Sequence, residues 1–261
     1  MDITLQKSPS EEQPRALLQR GVMAGRTDAV CGLERQNWAA VERSLDTGGN
    51  AVLPGLLSGA QCRQLAAMYP QEDGYRSRVV MGHHGFGKGE YKYFAYPLPP
   101  LLEELRHALY PKLVPLANRW NRQLGIDIDY SDTLAAFLER CHRAGQTRPT
   151  PLILQYGDGD YNCLHQDLYG EHVFPLQVAI LLSQPGEDFS GGEFVMTESQ
   201  PGHQRADVVP LSQGDAVVFT VNQRPAVGKR GAVRRVAMRH GVSRVRSGHR
   251  HTVGLIFHDA R

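Results

Sequence analysis

The sequence lacks any long apolar run. No stretch approaches the roughly 18 residues that would span a bilayer, and residues 1–21 are polar and of mixed charge, unlike a signal peptide. Cysteine is scarce, with four residues and no CxxC pair. This pattern argues against a zinc site and favours free thiols in a reducing compartment. We therefore expect a cytoplasmic protein with no membrane partner.

Acidic residues are absent from one long segment. The net charge is only +2, yet residues 216–258 contain no Asp or Glu. A segment with charges of one sign indicates an anionic ligand or polymer, such as nucleic acid. The alternative is a solvated edge strand with its loops. The basic residues of this segment are Arg224, Lys229, Arg230, Arg234, Arg235, Arg239, Arg244, Arg246 and Arg250.

The composition is that of a globular protein, with 261 residues of which 41% are hydrophobic and 21% charged. We predict a loose segment over 1–34, a helical region with a substrate lid over 35–149, and a β-rich core over 150–261. Gly and Pro separate the short apolar runs after position 149, as in a β-sandwich or closed double sheet. The predicted fold class is α+β, with the N-terminal helices packed on the β core.

Local signals place the predicted helices at 35–49, 58–70, 100–125 and 131–146. Ser58 is a plausible N-cap of the second helix, and Ser131 or Asp132 of the fourth. The third helix is expected to break or kink at Pro111 or Pro115. The segment 74–100 is rich in Gly, Tyr and basic residues, and we expect it at the surface with short β elements.

The chemistry centres on "YGDGDYNCLHQDLYG", residues 156–170, which contains His165 and Asp167. Residues i and i+2 of a strand point to the same face, so both side chains can reach one metal ion from one strand end. An imidazole and a carboxylate suit Fe(II), Mn or Zn. Alone the pair is a weak signal, because an HxD pattern is common by chance.

A third ligand from a distant strand would complete a facial triad, which leaves three adjacent positions open on iron. His240 stands at the end of a predicted strand in "RRVAMRHGVSRV". His203, His249, His251 and His258 are competitors for the same role.

Arg250 lies ten residues after His240 (250 − 240), on the next predicted strand. A planar guanidinium can hold a carboxylate through two parallel hydrogen bonds. An α-keto acid that binds iron and extends a second carboxylate would need such a residue. The HxD pair, the later His and the Arg thus form a linked set.

From about Leu152 onward the chain resembles Fe(II)- and 2-oxoglutarate-dependent dioxygenases with a double-stranded β-helix (jelly-roll) core. The resemblance implies His165, Asp167 and His240 as iron ligands, Arg250 as the residue that holds the distal carboxylate of 2-oxoglutarate, and Tyr156 as a second contact to it. It also implies O2 as co-substrate and allows ascorbate as a reductant. "FSGGEF" (189–194) and "GDAVVF" (214–219) resemble units of prolyl 4-hydroxylase-like members.

The sequence is most similar to a bacterial group of oxygenases proposed to act on nucleic acid. This similarity rests on "YNCLHQDLYG", "FPLQVAILLSQPG" and "RHGVSRVRSGHRHTVGLIFHDA", and extends upstream through "GEYKYFAYPLPP". It implies hydroxylation of a substrate coupled to decarboxylation of 2-oxoglutarate. An alkylated base in single-stranded or damaged nucleic acid would be the substrate. The residues predicted to bind it are Tyr91, Tyr93, Tyr161, Arg234 and Arg235.

Two alternatives remain open at this stage. The spacing of Tyr156 and His165 resembles the AlkB-like demethylases, but Ile256 and Leu154 replace an Arg and an Asn of that pattern. The short interval from His240 to Arg250 is closer to the prolyl hydroxylases, so a protein side chain is the alternative substrate. A jelly-roll that binds metal without turnover is the further alternative, since a fold does not establish activity.

Overall fold

The computed structural model describes residues 28–168, 170–200, 202–228 and 231–261. Its helices are α1 (Asp28–Glu34), α2 (Trp38–Gly48), α3 (Gly59–Ala66), α4 (Pro100–Leu124) and α5 (Leu134–Arg143), with a 3-10 turn at Met81–His84. Helix α1 lies within the segment predicted to be loose, and it is held because Ala29 and Leu33 are buried in the core. The rest of that segment, residues 1–27, lies outside the described residues.

The strands of the N-terminal half are β1 (Asn50–Leu53), β2 (Tyr75–Val80), β3 (Gly87–Lys88) and β4 (Glu90–Phe94). The strands that follow are β5 (Leu152–Tyr156), β6 (Tyr161–His165), β7 (Leu176–Leu181), β8 (Phe189–Gly191), β9 (Phe194–Gln200), β10 (His203–Val209), β11 (Ala216–Thr220), β12 (Gln223–Val227), β13 (Val233–Val242), β14 (Val245–Gly248) and β15 (Arg250–Leu255).

These strands form two large antiparallel sheets and a short pair. The first sheet has seven strands in the order β1-β11-β7-β15-β5-β4-β2. The second has six strands, in the order β10-β9-β13-β6-β3 with β12 also paired to β13, and β14 pairs with β8. Strands from both sides of position 150 thus share one sheet, and the protein mixes helices with antiparallel sheets.

The alternation of side chains along the seven-stranded sheet separates a core from a cavity. Ile153, Val178, Val253 and Leu255 are buried against the helices, together with apolar residues of α4. Their neighbours in sequence, among them Arg250, Thr252 and Gly254, line a cavity between the two large sheets. The helices therefore cover one face of this sheet, and the other face carries the polar site.

Helix α4 runs unbroken through Pro111 and Pro115, so of the predicted break or kink the break is wrong. Each proline removes one backbone hydrogen bond, but Tyr110, Leu113 and Leu116 are buried beside them and hold the helix to the core. Burial of this apolar stripe outweighs the lost hydrogen bonds.

The predicted N-caps were half correct. Ser58 caps α3 in a capping box with Gln61. The cap of α5 is Thr133, whose side chain accepts from the Ala136 amide at 3.3 Å, and not Ser131 or Asp132. The segment 74–100 is not confined to the surface, because β2 and β4 extend the seven-stranded sheet at its edge.

Among the described residues, no helix is both long enough and apolar enough to cross a bilayer.

Candidate metal and co-substrate site

Two neighbouring strands of the six-stranded sheet bring the predicted metal ligands together. His165 is the last residue of β6, and His240 lies directly opposite it on β13. Asp167 follows two residues after His165, in the loop beyond the strand end. The described residues contain one group of at least three potential ligands within 4.8 Å of one another, and it consists of His165, Asp167 and His240.

The distances within this group fit a shared ion. The Nε2 atoms of His165 and His240 each lie 3.3 Å from a different carboxylate oxygen of Asp167. Two ligands at right angles, each about 2.1 Å from a metal, would be about 3 Å apart. Two imidazoles and one carboxylate form the donor set that non-haem Fe(II) oxygenases use.

The imidazoles are oriented by different means. The Nδ1–H of His165 donates to the Cys163 carbonyl at 2.7 Å, so Nε2 carries the lone pair that a metal needs. The ring of His240 packs against Phe219, with centroids 4.5 Å apart, and against Phe194 at 6.0 Å. Its Nδ1 has no hydrogen-bond partner among the described residues, so ring packing and the contact of its Nε2 with Asp167 orient it.

The charges of the three groups are coupled. Burial would raise the pKa of Asp167, but hydrogen bonds and the charges of the two histidines hold it well below its usual value. Burial would lower the pKa of His165, but the hydrogen bond and charge of Asp167 raise it overall. Burial dominates for His240 and lowers its pKa. The carboxylate is therefore ionised and ready to bind a cation.

Arg250 lies at one end of the same cavity, whose volume is about 220 Å³. The side chain is 2% exposed. It donates from Nη1 to Thr252 Oγ1 at 2.6 Å, its Nε has no hydrogen-bond partner, and no acidic group forms an ion pair with it among the described residues. A buried cation without a counterion needs an anionic ligand. The pattern fits the carboxylate of a co-substrate.

Tyr156 faces Arg250 across the pairing of β5 with β15. The guanidinium carbon lies 5.7 Å from the centre of its ring, and Asn162 donates to the hydroxyl at 3.4 Å. Burial raises the pKa of Tyr156 to about 12, so the hydroxyl stays protonated and can donate to an anion in the cavity.

Two glycines make room for these side chains. Gly192 has φ +63°, and a Cβ there would lie 2.9 Å from Arg250 Cδ. Gly89 has φ +122°, and a Cβ there would lie 2.9 Å from the Tyr156 ring. Only glycine suits both positions, which explains the second Gly of "FSGGEF".

Gln166, between the two HxD residues, fixes the loop that carries Asp167. Its Nε2 donates to the Met238 carbonyl at 2.8 Å and to the Asn222 carbonyl at 3.0 Å. Met238 lies two residues before His240 on β13. This side chain therefore ties Asp167 to the strand that supplies the second histidine.

The structure places two of the five predicted substrate residues in the cavity and three outside it. Tyr91 and Tyr93 line the cavity and form an edge-to-face pair at 5.3 Å. Tyr161 is 41% exposed and does not line it. Arg234 and Arg235 are exposed on β13 and do not line it either, so their contact with substrate stays a prediction about a more distant surface.

The competing histidines lie elsewhere. His203 is exposed on β10, and the ring of His251 packs against Tyr69 at 5.7 Å. His258 is buried, with its Nδ1 accepting from the Phe174 amide at 3.2 Å. His249 precedes β15 and, like the other three, is outside the group of potential ligands.

Several residues that line the cavity were not predicted from the sequence, among them Phe86, Leu168 and Gln177. Phe86 and Leu168 are exposed by 48% and 51%, yet they line the cavity and so mark its mouth. Gln177 lines the floor. Of these, Gln177 had a signal in the sequence, because it is a lone polar residue within the apolar run of a buried strand, "FPLQVAILL".

Solved structures share this fold. An oxidoreductase of the 2OG-Fe(II) oxygenase family from Burkholderia pseudomallei matches with a TM-score of 0.52 and 16% identity, covering 87% of this chain and 93% of that one. A prolyl hydroxylase from Trichoplax adhaerens, in complex with a hypoxia inducible factor oxygen degradation domain peptide fragment, matches with a TM-score of 0.52 and 14% identity, covering 84% and 87%. At these identities the likeness concerns the fold alone.

The match to a family model adds the class: the protein is an oxygenase, an oxidoreductase, and its His-Asp-His group could hold a metal ion. The chain belongs to the Oxygenase-NA family, described as "Oxygenase, catalysing oxidative methylation of damaged DNA", whose model matches residues 89–260. It is 51% identical over 168 residues to the uncharacterized protein Rv2227 of Mycobacterium tuberculosis, covering 64% of this chain and 72% of that protein. Protein MT2286 of a second strain of that species matches to the same extent.

Proposed function

We propose that the protein hydroxylates an alkyl group on a base of single-stranded or damaged nucleic acid. In this proposal His165, Asp167 and His240 hold Fe(II), and Arg250 with Tyr156 binds the distal carboxylate of 2-oxoglutarate. The observation that supports this assignment most directly is the buried, unpaired Arg250 in the same cavity as the His-Asp-His group.

We also infer that the two facing sheets form a double-stranded β-helix. Antiparallel sheets with a ligand cavity between them are typical of that architecture, and the likeness to an oxygenase fold at a TM-score of 0.52 supports it.

Each part of the site would have a defined task. Iron held there would supply the activation of O2, of which one oxygen atom enters succinate as 2-oxoglutarate loses CO2 and the other becomes the hydroxyl group of the substrate. His165, Asp167 and His240 would hold the ion and leave room in the cavity for co-substrate and O2. Arg250 orients the co-substrate, and the apolar walls formed by Leu154, Ala179 and Ile256 exclude water.

The mouth of the cavity supports a planar substrate. Phe86 stacks on His84 with ring centroids 5.5 Å apart, and its backbone carbonyl accepts from the Cys163 amide at 2.9 Å. This fixes an exposed aromatic ring beside the cavity, where a base taken out of the stack could rest against it. The description of the family, which names damaged DNA, supports the same substrate class.

The test is a turnover assay that measures succinate with a panel of methylated single-stranded oligonucleotides and prolyl peptides. We expect stimulation by a methylated oligonucleotide and none by its unmethylated counterpart. Asp167→Ala is the control, because it removes a metal ligand. Stimulation by peptides alone would overturn the proposal in favour of a protein side-chain hydroxylase. Metal binding without turnover in any mixture would favour a non-catalytic module.

Binding to oligonucleotide should weaken steeply with salt, because phosphate contacts release counterions. If the basic residues of β13 contact phosphates, Arg234→Ala combined with Arg235→Ala should lower the salt slope by about 1–2. Lys112→Ala is a matched control, since this exposed cation lies on α4, across the seven-stranded sheet from the cavity. An unchanged slope in the double variant would place the phosphate contacts elsewhere.

A further inference from the structure

We propose that Gln177 is a substrate-binding residue, whose side-chain amide donates a hydrogen bond to a carbonyl oxygen or ring nitrogen of the base. This inference rests on the proposed function and identifies a contact for the substrate beyond the metal and co-substrate residues.

The burial of Gln177 is the first observation. The side chain lies on β7, a strand whose six residues are all buried, and is itself 3% exposed. Its Nε2 has no hydrogen-bond partner among the described residues, and the residue lines the cavity. An unpaired buried donor costs about 1–3 kcal/mol, and such groups are rare in folded proteins. A ligand in the cavity would supply the missing acceptor.

The strand register separates Gln177 from the co-substrate. Thr252 pairs with Leu181 and Gly254 with Ala179, so continuing the antiparallel register places Ile256 beside Gln177. Ile256 is six residues from Arg250 on the same run of chain, which corresponds to about 20 Å of strand. The four carbon–carbon bonds of 2-oxoglutarate, each about 1.5 Å long, span well under half of this. The backbone positions of Arg250 and Gln177 therefore lie at opposite ends of this part of the sheet, and the distal carboxylate bound by Arg250 belongs to the end away from Gln177.

Gln177 lies instead at the metal end of the cavity. It pairs with Phe219 across β7 and β11, and the ring of Phe219 is 4.5 Å from that of His240. A molecule that reaches Gln177 is thus beside a predicted metal ligand, as the oxidised group of a substrate must be.

The surroundings set the chemistry of the partner. Phe219, Ala179 and Ile256 are apolar neighbours that favour a flat, apolar group and keep water away from the amide. In a dry site one hydrogen bond discriminates strongly, because the wrong ligand leaves the donor unpaired. A base offers a flat ring with acceptor atoms at its edge, which fits both features.

The experiment compares wild type with Gln177→Met, which keeps the length of the side chain but removes the amide, and with Gln177→Glu, which keeps the shape but replaces the donor by an acceptor. For each, urea unfolding, 2-oxoglutarate affinity with Mn(II) and the kinetics of oligonucleotide-stimulated succinate formation are measured. Unfolding of the apo protein reports whether a variant folds, and Gln177→Glu serves if Gln177→Met does not.

We expect Gln177→Met to be at least as stable as wild type and to bind 2-oxoglutarate within twofold. Its KM for the methylated oligonucleotide should rise at least tenfold, and kcat/KM for the same oligonucleotide should fall further in Gln177→Glu. An unchanged kcat/KM in Gln177→Met would overturn the inference, as would an equal loss of 2-oxoglutarate affinity, which would assign the amide to the co-substrate. If the wild type responds only to peptides, the proposed function fails first, so the two failures are distinguishable.

Discussion

Replacing Arg250 by Met should leave the ligand-free protein as stable as wild type or more so, while abolishing tight binding of 2-oxoglutarate. Burial lowers the pKa of Arg250 from 12.5 to about 10. At 1.36 kcal/mol per pKa unit, this corresponds to about 3 kcal/mol of destabilisation. Because the folded pKa is the lower one, the cost is present at every pH below about 10, including pH 7.

The Arg250→Met variant avoids this cost but also loses a stabilising contact. Met cannot replace the charged hydrogen bond to Thr252, worth about 1.5–3 kcal/mol, so the net gain in the free energy of unfolding should be about 1 kcal/mol. In the complex, the variant leaves the carboxylate of 2-oxoglutarate unpaired at a cost of roughly 2–5 kcal/mol. Its dissociation constant should therefore rise at least tenfold.

Arg224→Met is the matched control. Arg224 is also buried, at 3% exposed, but it pairs with Glu198 at 2.6 Å. Removing one partner of a buried ion pair costs about 3–5 kcal/mol, so this variant should lose stability and keep its affinity for 2-oxoglutarate. Urea unfolding with and without 2-oxoglutarate, with Mn(II) to prevent turnover, measures both effects. If Arg250→Met loses as much stability as Arg224→Met and still binds 2-oxoglutarate, the reasoning is refuted.

Three further predictions follow from other sites. His165→Ala and Asp167→Ala should each abolish 2-oxoglutarate-dependent succinate formation and Mn(II) binding, with unchanged circular dichroism. Retained turnover in either variant would show that the replaced residue is not a metal ligand. Burial lowers the pKa of His258 to about 4. The free energy of unfolding should therefore be constant with respect to this group above pH 6.5 and fall by about 3 kcal/mol as the pH drops to 4. His258→Asn should make the urea midpoint less dependent on pH over that range, and an equally steep fall in the variant would contradict this. Arg106 and Asp259 form an ion pair of 2.9 Å with both side chains fully buried, so Arg106→Met should cost about 3–5 kcal/mol in urea unfolding, whereas a loss below 1 kcal/mol would contradict the pairing.

The sequence predicted which residues lie together in the cavity better than it predicted the substrate surface, for a reason that lies in strand geometry. His165, Asp167, His240 and Arg250 each sit at or near a strand end, and their residue types restrict what they can bind. The basic residues of β13 carry no such restriction, because only the register tells which face each one takes. On that strand Val236, Met238 and His240 are buried and Arg235 is not, an alternation that requires the strand bounds to be known.

The mouth of the cavity was beyond prediction for a different reason. Phe86 lies in a glycine-rich segment without periodicity, where Gly85 and Gly87 have positive φ. Its position depends on the pairing of β3 with β6, a contact between residues far apart in sequence. Local patterns carry no information about such a contact.

The cavity holds polar groups that the ligand-free fold leaves unsatisfied. Arg250 Nε, Gln177 Nε2 and His240 Nδ1 are buried without hydrogen-bond partners among the described residues, and apolar residues of similar volume would fit the same sites at lower cost. Proteins keep such destabilising groups where function needs them. Arg250 and Gln177 lie at opposite ends of the cavity floor, an arrangement that suits a co-substrate at Arg250 and a substrate at Gln177. Because their sites are distinct, the two ligands should stabilise the fold additively, each by RT ln(1 + [L]/Kd), and a co-substrate that displaced the substrate would contradict this division of the cavity.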